Sequence, residues 1–199
     1  MARVLIYFAH PGQRFSQVNA SMAEHARRVE GITFVDLYRE YPRFNIDVGK
    51  EQTRLTEHDI ILFQFPLFWY STPSIIKEWQ DLVLEHGFAY GRDGTQLAGK
   101  SVMAAITAAG PEDAYTPQGY QHYDLRTFLR PLEQTARLCK MTFLPPYALF
   151  SSLRAPAEGS ATHHIAGYVR LIEALRDDRY EPGDEDLVNA DTLPIVQGA

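Results

Sequence analysis

Five short apolar runs, separated by amphipathic stretches, set the pattern of this chain. Residues 3–9 (RVLIYFA) are apolar almost throughout, as a strand covered on both faces must be. Similar runs follow at 32–37, 59–65, 101–107 and 141–150, the last interrupted by Pro145-Pro146. Between them the spacing lengthens to that of helices. Val18, Met22, Ala26 and Val29 share one face, as do Ile75, Ile76, Trp79, Leu82 and Val83. Leu125, Phe128, Leu129, Leu132, Ala136 and Cys139 make a third stripe, with Pro131 either in the first turn or at a kink. A last helix is predicted over 157–177, through Ile165, Tyr168, Val169, Ile172 and Leu175. Ser16 reads as an N-cap and Gly31 as a helix stop. Residues 52–58 predict a short helix, and 38–50 an ordered but irregular excursion. Strands alternating with helices predict an α/β domain over residues 1–178, a doubly wound five-stranded parallel sheet flanked by helices. The first strand-helix-strand unit should be right-handed. Residues 179–199 are acidic and bear Pro and Gly, which predicts a tail that packs weakly or binds a neighbour.

Composition narrows the classes. The chain has 199 residues, with 45% hydrophobic and 22% charged, enough for one domain and its core. A net charge of −6 with no Lys/Arg cluster argues against nucleic acid as a partner. No apolar run approaches the roughly 20 residues of a membrane span, and the N-terminus shows no basic-plus-apolar leader. The single cysteine, Cys139, rules out an internal disulfide or a zinc knuckle and suits a reducing cytoplasm.

In sheets of this kind ligands bind beyond the strand C-termini. The loop after the first strand brings His10, Arg14 and Ser16 to a helix start, where free N–H groups suit phosphate. The alternative is simple capping. The segment lacks both the P-loop lysine motif and G-x-G-x-x-G. The loop after the third strand carries four aromatics within residues 65–70, then Pro73 at the next helix start. Such a cluster either fills the core or forms the wall of a pocket for a flat ring. After the fourth strand, Thr107, Ala108, Ala109 and Gly110 are small enough for backbone to approach a ligand, or they form an ordinary turn.

The motifs His10-Pro11, Ser16-x-x-Asn19, Pro66-Leu67-x-Trp69-Tyr70-Ser71-x-Pro73 and Lys77-x-Trp79-x-Asp81 occur in this order. His86-Gly87-x-Ala89-Tyr90-Gly91 and Leu97-x-Gly99-Lys100 follow. Together they resemble the flavodoxin-like NAD(P)H:quinone oxidoreductases of DT-diaphorase type. The likeness is greatest to the ancillary oxidoreductases of glutathione-gated potassium-efflux systems, over about residues 3–177. The resemblance implies a flavodoxin-like fold, FMN (or FAD) as cofactor and NADH or NADPH as electron donor. It implies that His10, Ser16, Gln17, Val18 and Asn19 hold the flavin phosphate and ribityl chain. Leu67, Phe68, Trp69 and Tyr70 would cradle the ring, and Thr107, Ala108, Ala109 and Gly110 would contact its other edge. Tyr115 would sit near the flavin, and His122 is the candidate for a histidine found some residues later. Where the family commonly has Thr-Thr-Gly-Gly, this chain has Thr107-Ala108-Ala109-Gly110, with methyl groups at two positions of close backbone approach.

The resemblance further implies ping-pong two-electron reduction of a quinone and a homodimer that completes the pocket. The site would be cytoplasmic, peripheral to the inner membrane if a potassium-efflux antiporter is the partner. A regulatory subunit that activates such an antiporter, with its redox activity secondary, is the rival. A one-electron flavodoxin carrier would need a Thr/Ser-x-Thr-Gly-x-Thr loop, which is missing. No basic pocket for a 2′-phosphate can be located in the sequence. On these grounds Trp69→Ala should weaken flavin retention more than Trp79→Ala, which should mainly cost stability. Flavin content after purification and urea denaturation of each variant separate the two effects; equal losses would make the aromatic loop a piece of core.

Overall fold

The computed structural model describes residues 1–12 and 16–196. Its sheet is built from β1 (Val4–Phe8), β2 (Ile32–Asp36), β3 (Ile60–Pro66), β4 (Ser101–Thr107), β5 (Thr142–Phe143) and β6 (Tyr147–Leu149). All pairings are parallel, in the order β2-β1-β3-β4, and β5 and β6 both lie along β4. They are one strand in two pieces. Ser101 and Val102 pair with β5, and Ala105 to Thr107 pair with β6, while Pro145 and Pro146, which lack N–H groups, occupy the gap. The predicted five-stranded, doubly wound parallel sheet of flavodoxin-like order is therefore the observed one.

Helices α1 (Val18–Ala26) and α7 (Ser160–Arg176), the latter preceded by the short α6 (Ala155–Glu158), cover one face, and α3 (Val48–Glu57), α4 (Ser74–Val83) and α5 (Arg130–Leu138) cover the other. Alternate strand residues serve alternate layers. Val4, Ile6, Leu62, Met103 and Ala105 pack toward α1 and α7, while Leu5, Tyr7, Ile61, Phe63 and Ala104 pack toward α3, α4 and α5. Burial on both sides explains the unbroken apolar runs. The α3 layer also holds a fully buried carboxylate, Glu51. It accepts hydrogen bonds from the Tyr7 and Tyr41 hydroxyls and from Trp79 Nε1, and it pairs with Arg54. Four partners meet the requirement of a desolvated charge. Trp79 is thereby a core residue, 2% exposed.

Several boundaries differ from the sequence reading. Ser16 is not the cap of α1. Gln17 holds that position without a side-chain bond, and Ser16 Oγ accepts instead from the Ala20 amide at 3.0 Å. Residues 38–50 are less irregular than expected: α2 (Leu37–Glu40) follows β2 directly, capped by Asp36. Asp47 caps α3, which starts four residues before the expected helix. Pro131 lies in the first turn of α5.

The expectation of a weakly packed acidic tail is corrected for residues 179–196. Val188 is 1% exposed and runs alongside β6, donating to Pro146 O and accepting from the Ala148 amide, both at 2.9 Å. Ala190 packs on α7 where Gly167 has no side chain; a Cβ there would stand 2.5 Å from the Ala190 methyl. Arg126 and Arg170 donate to the carbonyls of Asp186 and Ala190. The acidic residues 184–186 stay exposed while Val188 and Ala190 do the docking, so the charge run conceals an apolar anchor.

Beneath this anchor lies His164, 3% exposed, its ring stacked 4.3 Å from that of Tyr147 and its Nε2 without a partner among the described residues. Burial holds its pKa down at about 3. The unfolded chain takes up that proton near pH 6.5 while the fold resists it, so protonation favours unfolding. Stability is complete above pH 6.5 and should fall by up to about 1.4 kcal/mol per pH unit below it, until about pH 3. Urea denaturation at pH 7, 5 and 4 measures the slope, which His164→Gln should flatten. An unchanged slope in that variant would assign the loss to other groups.

Candidate active site

Loops from the C-terminal ends of β1, β3 and β4 meet at one edge of the sheet, where the strand order reverses between β1 and β3. They are held in place from below by a buried polar chain. Tyr168 of α7 donates to Gln64 Oε1 at 3.2 Å, and Gln64 Nε2 donates to the Asn19 carbonyl at 2.8 Å. Asn19 Nδ2 in turn donates to Thr107 Oγ1 at 2.5 Å. Tyr168 and Gln64 are fully buried, and Asn19 and Thr107 nearly so. In a desolvated setting each unmade bond is costly, so the chain fixes the relative positions of α1, β3 and β4.

Above it lie two adjoining cavities. The first, about 380 Å³, is bordered by His10, Ser16, Gln17, Val18, Asn19, Leu67, Phe68, Thr107 and Ala109 among others. By position, the first amides of α1, at Val18 and Asn19, have no intrahelical partner, so the helix start suits an anionic group. His10 is 7% exposed and sits edge-on to Phe68, ring centres 5.5 Å apart. Its Nδ1 accepts from the Gly12 amide at 3.2 Å, which leaves the proton on Nε2. Burial lowers its pKa, so it is a neutral donor at physiological pH. Arg14 lies outside the described residues.

The second cavity, about 550 Å³, is walled by Leu67, Phe68, Trp69, Tyr70, Ala109, Gly110, Tyr115, Tyr120, Gln121 and Arg154 with Pro111. The Leu67 amide donates to Thr107 O at 2.9 Å, joining the two loops that form the walls. Phe68 and Ser71 exchange backbone hydrogen bonds across a two-residue turn whose tip is Trp69-Tyr70, at φ +48° and +64°. Turns of this geometry favour Asn-Gly, because both tip residues are left-handed. Two bulky aromatics there carry strain of roughly 1–2 kcal/mol each. Tyr70 recovers some by packing on Phe128, ring centres 5.0 Å apart, but Trp69 is 92% exposed and stands at the rim.

Tyr115 is 7% exposed, packed against Phe128 and Phe150. Burial, and then the neighbouring Tyr120 hydroxyl, push its pKa up against the Gly110 amide, which pulls it down. It is therefore a protonated phenol at neutral pH. Gly110 has no room for a side chain, since a Cβ would come 2.9 Å from Tyr120 Oη and 3.1 Å from Tyr115 Cε2. The methyl of Ala108 is fully buried in the α5-side core, so of the two alanine methyl groups in this loop only that of Ala109 faces the cavities.

His122 borders neither cavity; it is exposed, at φ +61°, and its neighbour Gln121 takes the place in the wall. The one-residue offset follows from the tight turn closed by His122 N–H on Gly119 O. Gln64, Tyr168, Gln121, Ser152, Leu153 and Arg154 are the residues sequence reasoning missed. Gln64 had a signal, a lone amide inside an apolar strand. Arg154 had none, because nothing local links it to loops more than forty residues away. Together the cavities suit a ligand with an anionic end at α1 and a flat end between the small loop and the aromatic turn.

The strain at the rim gives a direct test. Trp69→Asn should raise stability by about 0.5–1 kcal/mol, since Asn tolerates the left-handed backbone and the exposed indole contributes little packing. Urea denaturation measures it; a clear loss of stability would mean that the indole is held by contacts.

Comparison with known proteins agrees with this geometry. Residues 2–171 match a protein family described as having a flavodoxin-like fold. The ancillary protein KefG of a glutathione-regulated potassium-efflux system from Cronobacter sakazakii is 43% identical over 182 residues, 92% of this chain and 96% of that protein. The general stress protein 14 of Treponema denticola, solved in complex with FMN, is 30% identical with a TM-score of 0.79. That match covers 88% of this chain and 98% of the other. An NADPH-quinone reductase from P. pentosaceus is 26% identical with a TM-score of 0.73, over 84% and 96% of the two chains. The fold, the converging strand-end loops and these likenesses lead to one conclusion: the chain belongs to the flavodoxin-like-fold family.

Proposed function

We propose that this protein binds FMN in the two cavities and reduces quinones with electrons from NAD(P)H. The observation that carries the reading is the continuity of an amide-lined cavity at the start of α1 with an aromatic-walled chamber, through shared Leu67, Phe68 and Ala109. The FMN complex of one relative and the quinone reductase name of another support it. Bound there, the flavin would supply two-electron chemistry, accepting hydride from NAD(P)H and passing it to a quinone in ping-pong order.

The protein's part is to bind, orient and hold protons. The α1 amides, the Ser16 hydroxyl and the neutral His10 would take the phosphate end. Backbone groups of residues 67–70 and 108–110 would hold the flat end, with the Gly110 contact resting on the absence of a side chain. Tyr115, kept protonated by burial, would donate a hydrogen bond to negative charge developing in the chamber. The exposed Phe68, Trp69, Tyr70, Tyr120 and Leu153 border the two cavities. An apolar rim of this kind suits a second copy of the chain closing the chamber as a homodimer.

The likeness to KefG favours a second role, binding and activating a potassium-efflux antiporter. Among the described residues no helix is long and apolar enough to cross a membrane. The first experiment is to purify the protein, release its cofactor and identify it. A chain that neither retains nor takes up flavin would end this reading. With FMN present, Tyr115→Phe should keep its flavin and lose about tenfold in quinone turnover, the cost of one hydrogen bond of about 1.4 kcal/mol. Unaltered turnover would remove Tyr115 from the chemistry. Slow quinone turnover by wild type, with antiporter activation intact, would favour the regulatory role.

A further inference from the structure

After β6 the chain folds back over the candidate site. The Ser151 amide donates to Gly110 O at 2.8 Å and the Ser152 amide to Ala108 O at 3.0 Å. Two backbone hydrogen bonds thus fasten this segment to the small loop after β4. Ser151 is left-handed at φ +52°, and its carbonyl accepts from the amides of both Arg154 and Ala155, at 2.8 and 3.1 Å. The tight turn divides its residues between the cavities: Ser152 and Leu153 border the smaller, and Arg154 borders the larger.

Arg154 is the one permanent cation lining either cavity among the described residues; the other walls are aromatic, aliphatic, hydroxyl, amide or imidazole groups. Its guanidinium is steadied on one side by Ser151 Oγ, which accepts at 3.0 Å, and by Glu158, whose Oε1 lies 3.7 Å from Nε. Of the five donors that a guanidinium carries, most remain open. A planar cation with open donors, mounted on a turn tied to the chamber wall, is the preferred partner of a phosphate group.

We propose that Arg154 binds a phosphate of the nicotinamide dinucleotide and so sets the protein's affinity for its electron donor. The inference rests on the function proposed above, in which donor and acceptor use one chamber in turn. A quinone has no phosphate, so a cation at the chamber edge distinguishes the two. It adds affinity to the dinucleotide and leaves the neutral acceptor unaffected.

The test uses flavin-loaded wild type, R154Q and R154K, with NADP⁺ as a redox-inert probe titrated by tryptophan fluorescence. The Kd for NADP⁺ and the KM for donor should rise about tenfold in R154Q, the value of one charge-assisted contact. The maximal rate, the KM for quinone and the flavin content should stay within twofold, and R154K should keep most of the affinity. Raising salt should weaken NADP⁺ binding to wild type more than to R154Q. A loss confined to NADPH would place the contact at the 2′-phosphate, and an equal loss with NADH would place it at the pyrophosphate. Unchanged NADP⁺ affinity in R154Q overturns the assignment, as does an equal rise in quinone KM or loss of flavin. Wild type that binds flavin and turns over with a normal R154Q refutes Arg154 alone; wild type that binds no flavin refutes the function and this inference together.

Discussion

Everything at the working edge of this protein depends on Gln64. It is the amide in the middle of an apolar central strand, and it ties Tyr168 of α7 to Asn19 of α1, which reaches Thr107 of β4. An amide at that depth is tolerable only when its donors and acceptors are used. Its side-chain bonds run to α7 and α1, and Asn19 carries the link on to β4, so satisfying it sets the relative positions of all three. The cavity that a ligand's anionic end would enter is therefore shaped by a hydrogen-bond requirement two layers below it. Glu51 plays a comparable part on the opposite face, where one buried carboxylate gathers Tyr7, Tyr41, Trp79 and Arg54 around the junction of β1, α3 and α4.

On that firm base the site itself is strained and open. The left-handed pair Trp69-Tyr70 projects aromatic surface outward from a turn that Asn-Gly would form more easily. Such strain persists only where surrounding structure enforces it, here the Phe68–Ser71 hydrogen bonds and the link from Leu67 to Thr107. Gly110 adds a steric constraint instead, since a side chain there would meet Tyr115 and Tyr120. Rigid support below and costly geometry above are what a site needs to hold a flat ligand in one orientation.

Tail and site share one structural device. Residues 179–196 extend the sheet edge at β6, and the turn after β6 covers the cavities. The proline-broken fifth strand thus organises both, since ending β5 at Phe143 frees β6 to pair with Val188 on its far side. The position of Arg154 follows from that break and from the two backbone hydrogen bonds to the loop after β4.

Much of the fold was legible in the sequence, because buried parallel strands must be apolar on both faces and their helices must show a stripe. The loops that border the cavities were legible too, since His10, Asn19, Thr107 and the aromatic run sit next to those strands in the chain. Long-range consequences were not legible. That Asn19 spends its side chain on Thr107, that Gln121 and not His122 enters the wall, and that Ala108 turns its methyl into the core depend on contacts with distant elements. So does the docking of Val188 under an acidic tail, and so does the arrival of Arg154 at the chamber. Sequence determined which segments pair with which period, because periodicity is a local property. Only the tertiary structure decided which side chains share a cavity, because that depends on hydrogen bonds and packing between residues far apart in the chain.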